Sequence, residues 1–259
     1  MIEWSVSPDL IALGPVKIRW YGLMFVAGFG IGFQFMKWVC RREGKSAEVL
    51  DSLLVHLVLG TTIGARLGHC LFYDPGYYLS HPLKILAIWE GGLASHGGAL
   101  GVIIACFLFA RKNPEMPGLW ILDRIAIPTV LTGAFIRIGN LMNSEILGKP
   151  TESTWGFVFT RVDQIPRHPA QLYESVSYFL IFIVSFFLYK AWPRSQSRGF
   201  LFGFVVGTIF LSRIFVELFK ENQEAFEASL PLNMGQMLSV PFVLICYLLA
   251  IQALKKKEI

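Results

Sequence analysis

Long apolar runs alternate with short polar segments along almost the whole chain, and the polar segments are rich in lysine and arginine. Seven apolar stretches can be traced, near 18–37, 49–73, 93–110, 119–138, 172–189, 199–218 and 235–254. Each is close to the ~20 residues that a helix needs to cross ~30 Å of hydrocarbon. The pattern predicts an all-α polytopic membrane protein of about seven transmembrane helices, residues 1–259 forming a single transmembrane domain. No soluble domain, low-complexity linker or internal repeat interrupts it. The longer connections fall near 74–92 and 139–171.

Loop charge orients the spans. The connections 37–48, 111–118, 190–198 and 255–259 hold 12 basic residues in 34, against 7 in 87 for 1–19, 74–92, 139–171 and 219–234. By the positive-inside rule the first set is cytoplasmic, which puts the N-terminus outside and the C-terminus inside. The two long loops then face outward. No cleavable leader pattern precedes the first apolar segment, so that segment reads as a retained helix.

Composition agrees with lipid as solvent. Charged residues are 16% of the chain, where soluble domains carry about 25%. The net charge of +5 does not imply nucleic acid, because the basic residues sit in topological loops and not among exposed aromatics. Cys40, Cys70, Cys106 and Cys246 lie far apart without a CxxC or zinc spacing, so neither a metal nor another cofactor is expected.

Candidate chemistry begins with arginines inside apolar spans, each costing about 2.5–3.5 kcal/mol at a helix centre on insertion scales. They are Arg66, Arg124, Arg137 and Arg213. Arg124 stands beside Asp123 near the cytoplasmic end, where snorkelling accounts for it. The other three lie in the outward halves of their helices, and more polar residues gather at that depth. Tyr21 opens the first span. His96 opens the third, within Glu90-Gly91-Gly92-Leu93-Ala94-Ser95-His96-Gly97-Gly98. Asn140, Asn143 and Glu145 follow Arg137. His168, Gln171 and Glu174 enter the fifth span, and Arg213 and Glu217 share a face of the sixth.

Each residue has a plainer reading: an ion pair for Arg213–Glu217, an interfacial cap for His96, an aromatic belt for Tyr21 beside Trp20, close helix packing for the glycines. Ser95-His96 is no hydrolase signature, since adjacent helical residues point about 100° apart and no G-x-S-x-G elbow exists. The run Arg137-Ile138-Gly139-Asn140-Leu141-Met142-Asn143-Ser144-Glu145-Ile146-Leu147-Gly148 is harder to set aside. A planar guanidinium fork suits a phosphate, and the amides and carboxylate suit hydroxyl groups. Together they suggest a phospholipid headgroup such as phosphatidylglycerol. A transporter of an anionic substrate is the alternative, although transporter sites tend toward the midplane of repeated, broken helices. An intramembrane protease is a second.

At these residues the chain resembles the bacterial prolipoprotein diacylglyceryl transferase family. The likeness includes Ile18-Arg19-Trp20-Tyr21-Gly22-Leu23, Gly64-Ala65-Arg66-Leu67-Gly68, Trp89-Glu90-Gly91-Gly92-Leu93 and Ser95-His96-Gly97-Gly98. It continues through Arg137–Gly148, Arg167-His168-Pro169-Ala170-Gln171-Leu172-Tyr173-Glu174, Arg213 and Glu217. The family often has a tyrosine four residues before the arginine of the sixth helix; this chain has Ile209.

The resemblance implies transfer of the diacylglyceryl group of phosphatidylglycerol to a lipobox cysteine of a prolipoprotein signal peptide. The products are a thioether and glycerol phosphate, with no metal or nucleotide cofactor. It also implies a multi-pass protein of the bacterial inner membrane, in contact with membrane lipid, its active site toward the periplasm. In that chemistry Arg137 is expected to hold the phosphate, with Asn140, Asn143, Glu145 and Gly148 around the headgroup. Arg213 with Glu217 is expected to stabilise the departing phosphate or the incoming thiolate. His96 is a candidate general base, and Tyr21 a hydrogen-bond donor to headgroup or peptide. Arg66, His168, Gln171 and Glu174 are expected to support them.

Overall fold

A computed structural model describes residues 1–14, 16–221 and 232–255. Long helices occupy the apolar runs: α1 (Trp20–Arg42), α2 (Leu50–Phe72), α4 (Ser95–Lys112), α5 (Gly118–Asn143), α6 (Ala170–Ala191), α7 (Phe200–Val216) and α8 (Met234–Lys255). A one-turn helix α3 (Pro75–Ser80) precedes 3-10 turns at Pro82–Leu86 and Ile88–Glu90. Basic residues close α1, α4, α6 and α8 (Arg41 and Arg42, Arg111 and Lys112, Lys190, Lys255), where cations meet the negative end of the helix dipole.

Among the described residues, six helices are long and apolar enough to cross a membrane: α1, α2, α5, α6, α7 with its turn to Phe219, and α8. The third expected span, 93–110, is helical as α4, but α4 falls outside this group. Its 18 residues spend their first turn on Ser-His-Gly-Gly and their last on Arg-Lys, leaving a short apolar middle. Helix α5 runs to Asn143, past the expected end at 138, so part of the expected loop 139–171 is helical. The basic residues Lys256 and Lys257 and most of the connection 219–234 lie outside the described residues.

Five short strands were not legible in the sequence. β1 (Ile2–Trp4) pairs in parallel with β4 (Phe157–Phe159), which pairs antiparallel with β5 (Pro166–Arg167). β2 (Asp9–Leu13) and β3 (Val16–Arg19) form a separate hairpin. The strands are three residues or fewer in the first sheet, too short for an alternating pattern to stand out. That sheet is seated on the end of α5: Trp4 Nε1 donates to the Leu141 carbonyl at 3.0 Å, and Leu141, Phe157 and Phe159 form a small buried cluster.

The chain forms two compact units, Met1–Phe35 with Asp123–Ile259, and Met36–Leu122. In the first, helices approach through small residues. A Cβ on Gly28 would lie 2.8 Å from Thr132, and one on Gly139 would lie 2.9 Å from the Tyr21 ring, so α1 and α5 meet at near-contact distance. Ala126, Val130, Ala134, Tyr178, Ile181 and Val205 make a buried core between α5, α6 and α7, with Ile209 packed on it. The buried Asp123 carboxylate accepts from the backbone N–H groups of Gly199 (2.7 Å) and Phe202 (2.8 Å), capping the start of α7.

In the second unit α2 and α4 pack backbone to backbone: a Cβ on Gly64 would lie 2.9 Å from the Gly101 Cα, and one on Gly68 the same distance from the Gly97 Cα.

Candidate active site

The site grows from the way α5 ends. The Glu145 N–H donates to the Asn140 carbonyl at 3.0 Å and the Ser144 N–H to Leu141 at 3.1 Å. This is the Schellman pattern, whose left-handed residue is usually glycine. Here Ser144 occupies it at φ +56°, and Ile146 follows at φ +58°. A β-branched residue in that region is an outlier, and such strain costs about 1–3 kcal/mol per residue. The fold-back brings the Glu145 carboxylate against the last helical turn, where it accepts from Asn140 Nδ2 at 3.0 Å and Asn143 Nδ2 at 3.1 Å. Asn140 Oδ1 in turn accepts from Arg137 Nη1 at 3.3 Å. Gln171, at the start of α6, donates to the Glu145 carbonyl at 2.5 Å. Five sequence-predicted residues, Arg137, Asn140, Asn143, Glu145 and Gln171, are thus held in one hydrogen-bonded group.

Arg137 also enters a second series. Its Nε lies 2.8 Å from Glu174 Oε2 on α6, and the other Glu174 oxygen accepts from Lys220 Nζ at 3.0 Å. Lys220 donates to Glu217 Oε1 at 3.1 Å, and that oxygen lies 3.2 Å from Arg213 Nε. The order is Arg137–Glu174–Lys220–Glu217–Arg213, three cations and two carboxylates with a surplus of one positive charge. Glu174 is 1% exposed and Lys220 4%, while the Arg137 and Arg213 side chains at the two ends keep 20% and 33%. Buried charges survive only when paired and hydrogen-bonded; the outer two remain accessible. The buried Tyr178 of α6 interacts with both Arg137 and Arg213. Asn233 Nδ2 donates to Glu217 Oε2 at 3.2 Å, which secures that carboxylate from the start of α8.

Backbone pairing holds these groups in register. Gly148 bridges to Lys220, Lys149 N–H donates to Phe219 at 2.8 Å and Glu221 N–H to Leu147 at 3.3 Å. A Cβ on Gly148 would collide with the His168 carbonyl and stand 2.8 Å from that of Phe219, so glycine answers to three backbones meeting. His168 Nδ1 and the Tyr173 hydroxyl share a hydrogen bond at 3.1 Å, and Trp155 Nε1 donates to that hydroxyl at 3.2 Å. Nearby, Arg167 pairs with Asp163 at 2.6 Å and Glu221 at 2.8 Å. The hydrogen bonds from Arg167 hold the Asp163 carboxyl below its usual range, and Asp163 in turn raises Arg167.

Other predicted residues stand elsewhere. Tyr21, half-buried at the start of α1, lies against Gly139, two residues beyond Arg137 on α5. His96 belongs to the second unit, exposed in the first turn of α4. Arg66, also there and buried, donates to the carbonyls of Lys84, Ile85, Gly91 and Gly92 and lies over the Tyr78 ring at 5.1 Å. Its guanidinium organises the 75–92 segment and is spent on backbone. Gly91 and Gly92 turn over it at φ +86° and +69°.

Sequence reasoning missed two participants. Lys220 was counted among loop charges, and Tyr178 passed as an apolar-span aromatic. Lys220 had a signal: it follows Arg213 and Glu217 by seven and three residues, spacings that keep all three on one helical face. Tyr178 had none.

Helices of membrane-spanning length that end in a buried charge network with two accessible guanidinium groups mark a polytopic membrane protein with a polar site among its helix ends. A family model described as prolipoprotein diacylglyceryl transferase matches residues 8–252. The phosphatidylglycerol–prolipoprotein diacylglyceryl transferase of Tolumonas auensis is 51% identical over 257 residues, 99% of each chain. The proteins of that name in Chloroherpeton thalassium and Bacteroides fragilis are 46% and 48% identical, covering 100% and 94% of this chain and 96% and 92% of theirs. The chain belongs to the prolipoprotein diacylglyceryl transferase family.

Proposed function

We propose that this protein transfers the diacylglyceryl group of phosphatidylglycerol to the sulfur of a lipobox cysteine in a prolipoprotein signal peptide. The observation that carries the reading is the pair of partly exposed guanidinium groups at the two ends of one buried charge series, in a chain of this family. The cysteine sulfur attacks the glycerol carbon that bears the phosphate ester. A C–S bond forms, the C–O bond breaks with its electron pair on oxygen, and glycerol phosphate leaves. A thiol with a pKa near 8.5 is only a few per cent thiolate at neutral pH, so its proton must be drawn off. His96 is our candidate for that base, a role worth about 10²–10⁴-fold.

Arg137 holds the phosphate and Arg213 stabilises the charge that develops as it departs, donors preorganised for the transition state. Their orientation is fixed by Glu174 and Glu217. Asn140, Asn143 and Glu145 receive the headgroup glycerol; buried Asn143 Oδ1, Ser144 Oγ and Gln171 Oε1 have no hydrogen-bond partner among the described residues and suit hydroxyl donors. Tyr21 hydrogen-bonds headgroup or peptide, and Gly148 and His168 shape the wall. We read both units as one transmembrane domain with α4 as the seventh span, N-terminus outside. The basic helix ends then face the cytoplasm and the site faces the periplasmic side of the inner membrane.

The test is direct. Purified protein in phosphatidylglycerol liposomes is incubated with a lipobox peptide, and the peptide is weighed by mass spectrometry. Addition of one diacylglyceryl group, abolished by replacing the peptide cysteine with serine, is expected. Unchanged mass with folded protein overturns the proposal, and lipid or solute flux without covalent change favours a transporter.

A further inference from the structure

Lys220 is the most deeply placed cation of the charge series, and it is the only member joined to both carboxylates. Its Nζ spans Glu174 of α6 and Glu217 at the end of α7, at 3.0 and 3.1 Å, with the side chain 5% exposed. A strongly hydrated ammonium is costly to bury, and a structural link between α6 and α7 could be made by apolar contacts alone. What apolar contacts cannot supply is charge. Without Lys220, Arg137 and Arg213 face Glu174 and Glu217 one to one, and the series carries no surplus to meet a phosphate. With it, one net positive charge remains, and the guanidinium groups at the accessible ends are where that charge can act.

The backbone of Lys220 contributes as well. It bridges to Gly148, so the residue that fixes the charge balance is tied to the strained segment that carries Glu145. The ion series and the Asn140–Glu145 group therefore share Arg137 at one end and the Lys220–Gly148 bridge at the other.

We infer that Lys220 is a positioning residue for the lipid phosphate: by sharing its charge between Glu174 and Glu217 it leaves Arg137 and Arg213, each still paired with one of those carboxylates, a combined surplus of one positive charge with which to bind a phosphate diester. The inference rests on the transferase reading above. It predicts that phosphatidylglycerol affinity follows the charge surplus and not the volume at position 220.

Four proteins are compared in liposomes of varied phosphatidylglycerol content, by steady-state transfer to a lipobox peptide: wild type, Lys220→Arg, Lys220→Met and Lys220→Met/Glu217→Gln. Glycerol phosphate serves as a competing probe in each. Lys220→Arg is expected to stay within about threefold of wild type, since it preserves the charge. Lys220→Met is expected to raise the apparent KM for phosphatidylglycerol and the inhibition constant for glycerol phosphate by about tenfold or more, the peptide KM unchanged. The double variant, which restores a surplus of one, is expected to recover part of the lost glycerol phosphate binding even with a reduced kcat.

Equal KM values in Lys220→Met and wild type overturn the inference, as does a peptide KM that rises in step with that of the lipid. Should Lys220→Met fail to fold, the double variant decides: glycerol phosphate binding within about tenfold of wild type supports the charge role, and its absence refutes it. Failure of the wild type to modify the peptide sinks the transferase reading itself, a result distinguishable from any of these.

Discussion

Replacing Glu174 by glutamine tests the charge series at its most buried point. The substitution keeps the side-chain volume and removes one negative charge that is 1% exposed and sits 2.8 Å from Arg137 and 3.0 Å from Lys220. Two effects oppose each other. The glutamine itself is cheaper to desolvate, but Arg137 and Lys220 are left buried with less compensation, and an amide nitrogen is turned toward one of two donors. Unit charges about 4 Å apart interact by roughly 4 kcal/mol at an effective dielectric of ~20, and here two such attractions vanish. The loss wins, because breaking a buried pair from one side costs about 3–5 kcal/mol while removing both partners can be near neutral.

For a chain of this size each kcal/mol moves the unfolding midpoint by about 2–4 °C, so Glu174→Gln is expected to lower Tm by roughly 6–20 °C in detergent. Removing Lys220 as well, in Glu174→Gln/Lys220→Met, is expected to cost less than the sum of the single changes, with a coupling of about 1–3 kcal/mol. Thermal unfolding followed by tryptophan fluorescence measures both quantities. A single-variant shift below ~2 °C, or strict additivity of the pair, would refute the claim that Glu174 is held by two charges at once.

Other expectations follow from the same geometry. Arg137→Lys keeps the charge but loses the planar fork that reaches Glu174 and Asn140 together, and is expected to reduce transfer about 10²–10³-fold with folding intact, read by peptide mass and Tm. Ser144→Gly relieves a left-handed conformation at φ +56° and, net of about 0.4–1 kcal/mol of added unfolded-state entropy, is expected to raise Tm by a few degrees, about 1 kcal/mol; an unchanged or lower Tm counts against strain at this cap. The Asp163–Arg167 pair gives a pH signature. Because the Asp163 carboxyl is held below its ordinary value of 3.8, its stabilising contribution is complete above that pH and is lost as pH falls through the lowered value. The Tm difference between wild type and Asp163→Asn should therefore persist at neutral pH and close on acidification below 3.8.

How much of this was readable from the sequence differs by residue. Glu145 and Asn140 were placed beside Arg137 because they follow it within eight residues, and the helix end delivered them there. Arg213 and Glu217 pair as their four-residue spacing requires. Glu174 was expected only as support, yet its carboxylate is the group that joins Arg137 to Lys220, contacts across 37 and 46 positions of chain. Arg66 was flagged as an expensive cation in an apolar span; that its donors serve the backbone of 84–92 depends on how that segment folds over it.

The sequence by itself settled the solvent and the long helices, because apolar length and the burial cost of charge are properties of each segment alone, while the short strands had no such signal. It settled the cations that would need partners. The tertiary structure decided which partners they took, since an ion pair between helices depends on crossing distance and register, which no single segment encodes. It also turned Lys220 from one more loop lysine into the link between two carboxylates, because burial belongs to the packed assembly and not to the residue.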